Sequence, residues 1–156
     1  MNLPKIKQSP VSLGDEGKRG MRTQFGALCW REKQGKVQIL LVTSRRRGRW
    51  IIPKGWPLDG ETPAKAAETE AWEEAGVEGK AKGQCLGVFG YDKELSEGEQ
   101  LPCMVALFPL KVKRLSTDWP EKDERRRKWM SPKKAANLVD EPDLAAILKA
   151  FDPLKL

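Results

Sequence analysis

Three glutamates, Glu70, Glu73 and Glu74, lie within five consecutive positions of the sequence. Spacings of three and four residues bring side chains together on one surface of an α-helix, so these carboxylates would repel one another. Each like-charged pair costs a helix about 0.2–0.5 kcal/mol, and no lysine or arginine lies between Lys65 and Lys80 to offset this cost. Clustered hard oxygen ligands favour a site for Mg²⁺, Mn²⁺ or Ca²⁺, and a solvated acidic helix face is the alternative.

The helix that would carry these glutamates is predicted over residues 63–75. Thr62 supplies an N-cap hydroxyl, Pro63 suits the first helical position, and Gly76 suits the position just past the last turn. Alanines at positions 64, 67, 71 and 75 form a narrow stripe that can pack closely on a sheet. The adjacent face would then present the carboxylates near the helix C-terminus, where the macrodipole disfavours anions.

Apolar segments on both sides of this helix predict a mixed β-sheet. The predicted strands are 24–31, 37–44, 49–52, 83–91, 102–112 and 125–130. Ser131-Pro132 and Glu141-Pro142 each place a proline after a capping position, and they predict helices at 132–138 and 142–151. The pattern predicts a single α/β domain over 21–156, after a mobile arm at 1–20 that contains Pro, Gly and Ser.

The composition excludes several classes of function. The chain has no histidine, which rules out Ser-His-Asp and Cys-His catalysis. Its three cysteines (Cys29, Cys85 and Cys103) show no paired spacing, which argues against zinc, and we expect buried free thiols in a cytoplasmic protein. No apolar run is long enough to span a bilayer.

The charge of the chain predicts an anionic partner. There are 29 Lys and Arg against 22 Asp and Glu, a net charge of +7. Nucleic acid, a membrane surface and a polyphosphate all fit this charge, and so does a basic surface that only aids solubility. The run Arg45, Arg46, Arg47 and Arg49 and a second cluster that begins at Arg125 could grip phosphate oxygens bidentately. Two such clusters beside a carboxylate site favour a highly phosphorylated small molecule over a pair of solvated turns.

Residues 55–77, GWPLDGETPAKAAETEAWEEAGV, resemble a Nudix box. That pattern reads Gly, five residues, Glu, seven residues, Arg-Glu, an apolar residue, any residue, Glu-Glu, any residue, Gly and an apolar residue. Eight of its nine specified positions match, namely Gly55, Glu61, Glu70, Ala71, Glu73, Glu74, Gly76 and Val77. Thr69 stands where the family has an arginine that helps to orient the catalytic glutamates.

The resemblance implies a fold and a reaction. The fold would be the Nudix α/β/α sandwich, a mixed sheet with the Nudix helix and C-terminal helices. The reaction would be metal-dependent hydrolysis of a pyrophosphate bond. Glu70 and Glu74 would hold Mg²⁺, or Mn²⁺, with help from the backbone carbonyl of Gly55. Glu73 would act as the general base or as a further metal ligand.

Three further segments resemble one branch of the family more loosely. SRRRGRWIIPKGW, CLGVFGY and RRRKWM are similar to diphosphoinositol polyphosphate phosphohydrolases, which also cleave diadenosine polyphosphates. The resemblance implies that phosphates would be contacted by Arg22, Ser44, Arg45, Arg46 and Arg125, while Arg47 and Arg49 complete the arginine run.

Two departures leave the substrate open. Lys54-Gly55-Trp56 more resembles dinucleoside polyphosphate hydrolases, and the segment after Tyr91, DKELSEGEQ, is net acidic where the inositol enzymes are basic. These departures favour diphosphoinositol polyphosphates less, and diadenosine polyphosphates are at least equal candidates. ADP-ribose, capped RNA and a non-catalytic polyphosphate-binding or RNA-binding module are the alternatives.

Overall fold

The computed structural model describes residues 21–96 and 98–156, so the predicted arm at 1–20 lies outside the described residues. The strands are β1 (Arg22–Lys33), β2 (Lys36–Thr43), β3 (Trp50–Ile51), β4 (Lys54–Gly55), β5 (Val77–Ala81), β6 (Gly87–Glu94), β7 (Gln100–Leu115) and β8 (Arg127–Met130). The helices are α1 (Pro63–Ala75), α2 (Pro132–Leu138) and α3 (Pro142–Ala150), followed by a 3₁₀ turn at Pro153–Lys155.

These strands form one mixed sheet. Its main order is β3-β2-β1-β7-β5, with β4 paired to β1, β6 to β7 and β8 to β2. The two long central strands, β1 and β7, are parallel and run in register from Arg22 opposite Cys103 to Trp30 opposite Lys111. The other pairings within the described residues are antiparallel. β1 and β7 lie at the centre of the apolar core, because both faces of these strands are covered.

Helices cover both faces of the sheet, which confirms the predicted α/β/α sandwich. On one face, the predicted alanine stripe of α1 packs against Phe108 and Leu110 of β7. On the other face, Leu144 and Leu148 of α3 pack with Leu28. Small alanine side chains let α1 approach the sheet closely. Glu70 and Glu74, on the face of α1 next to the alanines, are therefore buried as well. None of the helices in the described part of the chain is long and apolar enough to cross a membrane.

Most predicted elements are present, and the differences have local causes. The prediction of α1 is confirmed at both ends, because Thr62 Oγ1 accepts from the Lys65 N–H at 3.2 Å and Gly76 adopts φ 65°. β4 and β5 were not predicted, since β4 has two residues and the sequence of β5, VEGKA, has little apolar alternation. Residues 92–94 lie beyond the predicted strand 83–91 and instead extend β6.

One expectation about the cysteines is wrong. Cys29 and Cys103 are buried free thiols, but Cys85 is exposed. The reason is that residues 83–86, predicted as the start of a strand, lie in a connection before β6 begins at Gly87, and 83–85 of this connection are exposed.

Candidate active site

A cleft of about 580 Å³ collects most of the residues that the sequence marked as site candidates. It is lined by parts of α1, β4, β6, the loop 44–49 and the connections that follow β7 and α2. The predicted residues that line it are Ser44, Arg45, Arg46, Arg47, Arg49, Gly55, Glu70, Glu74 and Arg125. Glu73 and Arg22 are not in this lining: Glu73 is half-buried in the last turn of α1, and Arg22 begins β1.

Two carboxylates form the floor of the cleft. Glu70 is 2% exposed and Glu74 is 5% exposed, although both belong to the most polar class of side chain. β4 pairs with β1 through Phe25 and Gly55, and this pairing holds the backbone of Gly55 against α1. A Cβ atom at position 55 would overlap the carboxyl group of Glu70. The glycine is therefore required by the close approach of the helix carboxylate.

The carboxylate of Glu74 is buried, and its negative charge is only partly neutralised by neighbouring basic side chains. Its Oε1 lies 3.7 Å from Arg125 Nη1 and accepts no hydrogen bond from any residue that the structure describes. Burial raises the pKa of Glu74 by more than Arg125 and Lys54 lower it. Burial also lowers the pKa of Lys54, in spite of the nearby Glu74 and Glu141. A buried carboxylate in this condition is stabilised when a further cation binds beside it.

The donors present fit a magnesium-like cation. Residues 21–96 and 98–156 contain no group of three His, Cys, Asp or Glu side chains that could hold a metal ion by themselves. Mg²⁺ does not need such a cage, because it keeps several waters and commonly binds one or two carboxylates together with substrate phosphates. Glu70 and Glu74, beside the glycine backbone at position 55, supply that kind of partial, all-oxygen site.

The exposed wall of the cleft is the arginine loop, residues 44–49. Arg45 lies 3.5 Å from Glu124, Arg47 pairs with Glu94, and Arg49 lies 2.9 Å from Asp140 and 3.2 Å from Glu141. Arg46 Nη1 donates to the carbonyl oxygen of Leu95 at 3.0 Å. Exposed ion pairs are worth only about 0–1 kcal/mol each. Phosphate oxygens can therefore replace the carboxylate partners of the exposed Arg45 and Arg47 at little cost.

Arg125 differs from the arginines of this loop. Its side chain is 8% exposed, Nη1 donates to the carbonyl oxygen of Thr43 at 3.0 Å, and Nε donates to Glu121 at 2.8 Å. The guanidinium thus stands next to Glu74 and is held there by two other groups. Sequence reasoning assigned Arg125 to phosphate binding and missed Glu121 altogether, because an acidic residue in a highly charged segment carries no distinguishing signal.

Tyr91 and Lys54 also line the cleft. The Tyr91 hydroxyl donates to Gln24 Oε1 at 2.6 Å, and Lys54 Nζ lies 4.6 Å from the centre of the tyrosine ring. Lys54 therefore covers one face of this ring. Trp56 also lines the cleft and is half-buried.

Comparison with known proteins identifies the family. The family model described as a NUDIX domain matches residues 20–151. The chain belongs to the Nudix family. The predicted resemblance of residues 55–77 to a Nudix box is thereby confirmed, and α1 is the Nudix helix of this chain.

Curated relatives come from plants and animals. The chain is 35% identical over 123 residues to Nudix hydrolase 13, mitochondrial, of Arabidopsis thaliana, covering 76% of this chain and 61% of the relative. It is 30% identical over 136 residues to diphosphoinositol polyphosphate phosphohydrolase 2 of Homo sapiens, covering 86% and 71%. This chain spans 61% and 52% of the lengths of the Arabidopsis mitochondrial Nudix hydrolases 13 and 12.

A solved structure shows the same fold. The crystal structure of the C. elegans Ap4A hydrolase superposes with a TM-score of 0.60 at 22% identity, covering 87% of this chain and 99% of that one. At this identity the similarity extends to the fold alone.

The Nudix helix of this chain lacks the family arginine, and the structure shows what stands in its place. Thr69 Oγ1 donates to the carbonyl oxygen of Lys65 at 3.2 Å, one turn earlier in the same helix. Thr69 is half-buried and does not line the cleft. The guanidinium next to the helix carboxylates comes instead from Arg125, in the connection between β7 and β8.

Proposed function

We propose that this protein is a Mg²⁺-dependent pyrophosphohydrolase that cleaves a phosphate-rich diphosphate substrate. The observation that carries the proposal is the pair of buried carboxylates, Glu70 and Glu74, against Gly55 at the floor of a cleft with an arginine wall. A bound Mg²⁺ or Mn²⁺ would supply charge neutralisation at the phosphates and a water molecule of lowered pKa.

The residues of the cleft divide into two groups by burial. Glu70 and Glu74 hold the cation in a site that is dry enough to strengthen electrostatic interactions. The arginines of the loop 44–49 bind phosphate oxygens at the exposed wall, exchanging their carboxylate partners for the substrate. Arg125 lies beside Glu74 and partly offsets the effect of burial on the pKa of this carboxylate. Glu73 is assigned the role of general base or of a further metal ligand, as the resemblance implies, and it is tested separately below.

Charge favours a substrate with several phosphates. The lining contains seven basic and seven acidic side chains, so by formal charge the cleft is neutral before a cation binds. Each divalent cation then adds two positive charges, and a multiply charged anion is the ligand that restores neutrality. This dependence on metal separates the proposed substrate from RNA held by a basic surface.

Diphosphoinositol polyphosphates are the first substrate candidates and diadenosine polyphosphates the second. The relative named for the inositol substrate is 30% identical over 86% of this chain, whereas the likeness to the Ap4A hydrolase is one of fold. Lys54 already covers one face of Tyr91, which disfavours stacking of adenine there. Trp56 supports the second candidate, because its indole lines the cleft. The cytoplasm stays a prediction, since relatives are named mitochondrial and chloroplastic.

The test is a substrate panel with matched variants. The protein is incubated with Mg²⁺ and diphosphoinositol polyphosphates, dinucleoside polyphosphates, ADP-ribose or capped RNA, and phosphate-containing products are measured. We expect turnover that EDTA abolishes and that Glu70→Gln or Glu74→Gln lowers at least ~100-fold, because a metal ligand is lost. Glu78→Gln, at a half-buried glutamate that pairs with Arg114 outside the cleft lining, is the control and should leave turnover unchanged.

Each result assigns or removes a role. Glu73→Gln should also lower kcat about 100-fold if Glu73 is the base, and wild-type activity of this variant would remove that role. If no substrate turns over, or if the Glu70 and Glu74 variants are as active as the wild type, the proposed site is wrong. Binding of polyphosphate or RNA that survives both substitutions and weakens steeply with salt would instead identify a non-catalytic binding module.

A further inference from the structure

The Nudix helix ends with backbone groups that the helix itself cannot satisfy. The last four carbonyl groups of an α-helix have no intrahelical donor. In α1 the Gly76 N–H bonds to the carbonyl oxygen of Trp72, so the unsatisfied carbonyls begin at Glu73. Glu74, a proposed metal ligand, lies within this unsatisfied turn. The partners of these carbonyls therefore bear on the position of the metal site.

One segment of the chain supplies a donor to each of four consecutive carbonyls. The pairs are Glu121 N–H to Glu73 O at 3.0 Å, Trp119 Nε1–H to Glu74 O at 3.1 Å, Arg127 Nη1–H to Ala75 O at 2.7 Å and Ser116 N–H to Gly76 O at 2.8 Å. All four donors lie between residues 116 and 127, the connection from β7 to β8 together with the first residue of β8. The guanidinium of Arg127 also brings a positive charge to the negative end of the helix dipole.

This segment, 116–127, is itself held in one conformation. Arg127 stacks on the Trp119 ring at 3.9 Å, and its Nη2 donates to the carbonyl oxygen of Ser116 at 2.7 Å. Ser116 Oγ donates to the carbonyl oxygen of Asp118 at 2.6 Å. The donors are therefore held by one another as well as by the helix, which lowers the entropic cost of each contact.

The same segment reaches into the cleft. Arg125 lies beside the carboxylate of Glu74, and Glu121, which holds Arg125, also donates its backbone N–H to Glu73. Glu74 is consequently held at both ends, at its backbone carbonyl by Trp119 and at its carboxylate by Arg125. A catalytic geometry is sensitive to displacements of about 1 Å, so such a double attachment affects metal binding and rate.

We propose that residues 116–127 form a positioning clamp for the metal-binding end of the Nudix helix, with Trp119 and Arg127 as its positioning residues. The inference rests on the proposed function, because it assigns the clamp to the metal site at Glu74. The clamp sets where the carboxylate stands and contacts neither the metal nor the substrate through Trp119 or Arg127. Loss of a clamp donor therefore weakens metal binding without changing the groups that bind phosphate.

The test compares two tryptophans, each of which has an arginine guanidinium stacked on its ring. Trp119→Phe removes the N–H to Glu74 and keeps an aromatic ring for Arg127. Trp129→Phe is the control. Trp129 lies in β8, Arg31 stacks on its ring at 4.1 Å, and Trp129 is not one of the four clamp donors. The affinity for Mn²⁺ alone is measured from the electron paramagnetic resonance signal of the free ion, and amide hydrogen exchange is measured over residues 72–76. Arg127→Lys and Arg31→Lys form a second matched pair that carries the test if a tryptophan variant does not fold.

We expect Trp119→Phe to weaken Mn²⁺ binding ~fivefold and to speed exchange in the last turn of α1, as the loss of one hydrogen bond predicts. The Mg²⁺ concentration for half-maximal activity should rise by the same factor, with KM at saturating Mg²⁺ unchanged. Trp129→Phe should change Mn²⁺ affinity less than ~twofold. Equal Mn²⁺ affinity in wild type and Trp119→Phe overturns the clamp alone. Absence of Mn²⁺ binding by the wild type overturns the clamp, and absence of turnover across the substrate panel overturns the proposed function with it.

Discussion

The two ends of the Nudix helix are stabilised in opposite ways. At its N-terminal end, Thr62 accepts from the Lys65 N–H within three positions of the chain, and Pro63 has no N–H to satisfy. At its C-terminal end, the carbonyl of Glu74 is satisfied by Trp119, which lies 45 positions further along the sequence. The first end is complete as a local structure, whereas the second is complete only in the folded domain.

The two ends of the helix also differ in the residues that they contain. The N-terminal end is exposed at Thr62 and Pro63, and no proposed ligand lies in its first turn. The C-terminal end holds buried acidic side chains where the helix dipole is unfavourable to them. An end that positions a costly site needs donors and cations from elsewhere in the fold. The four predictions below test this contrast, beginning with the largest expected effect.

Substitution of the two glycines that flank α1 should reveal the clamp directly. Gly60 and Gly76 adopt φ 75° and 65°, so alanine at either position is strained by about 1 kcal/mol. A Cβ at Gly60 would meet no described atom within 4 Å, whereas one at Gly76 would lie 2.8 Å from Arg127 Nη1 and from the Trp119 ring. We expect urea unfolding in EDTA to show a loss of about 1 kcal/mol for Gly60→Ala and about 3 kcal/mol for Gly76→Ala. Equal losses would mean that the clamp does not press on this turn.

The stability of the metal-free protein should depend on pH through Glu74. Burial raises the pKa of Glu74 to about 8, from an ordinary value of 4.5. The folded state then keeps a proton that the unfolded chain releases, so the free energy of unfolding falls as pH rises from about 5 to 8. The lowered pKa of Lys54, about 8, acts in the opposite direction and only above that pH.

Removal of this carboxylate should flatten the pH profile. In EDTA, we expect Glu74→Gln to reduce the fall in unfolding free energy between pH 5 and 8 by about 2 kcal/mol. Glu78→Gln, at a half-buried position on β5, serves as the control and should keep the wild-type slope. An unchanged slope in Glu74→Gln would show that Glu74 is not the group responsible.

Removal of the N-terminal cap should affect stability alone. Thr62→Ala deletes the hydroxyl that accepts from Lys65 and should cost about 1 kcal/mol in thermal or urea unfolding, while Thr62→Ser retains the acceptor. Because this end is distant from the clamp, the Mg²⁺ concentration for half-maximal activity should not change. A shift in that concentration would contradict the independence of the two ends.

The smallest effect is expected at the position where the box departs from its family. The Thr69 hydroxyl donates to the carbonyl oxygen of Lys65 at 3.2 Å, a bond that contributes little to helix stability. Thr69→Arg should therefore change unfolding free energy by less than about 0.5 kcal/mol, and turnover should stay the same or rise. A large loss of turnover would give Thr69 a local role of its own.

The sequence allowed much of the fold to be predicted, because the signals involved are local. α1, α2 and both boundaries of each were read from caps, prolines and apolar periodicity. β4 and β5 escaped prediction because a two-residue strand and a polar five-residue strand exist only through their pairing with β1 and β7. Strand formation of this kind depends on a partner that the local sequence does not show.

The residues of the candidate site also divide into those with a local sequence signal and those that only the fold brings to the cleft. Glu70, Glu74, Gly55 and the arginine loop were all predicted, because the spacing of the box and the run of like residues are visible in one dimension. Lys54, Gln24 and Glu121 were not assigned to the site, since each is an ordinary polar residue until the sheet and the β7–β8 connection bring it to the cleft. Arg22 was assigned to the site but lies outside the cleft lining.

The sequence by itself determined that carboxylates gather at one end of a helix and that this arrangement is costly. It also determined the family, through eight matching positions of the box. Only the tertiary structure decided how the cost is met: Arg125 stands beside Glu74, and residues 116–127 satisfy the carbonyls at that end. The physical reason is that helix formation and side-chain spacing depend on neighbours a few positions away. Neutralisation of a buried charge depends on whichever groups the fold brings within a few ångströms.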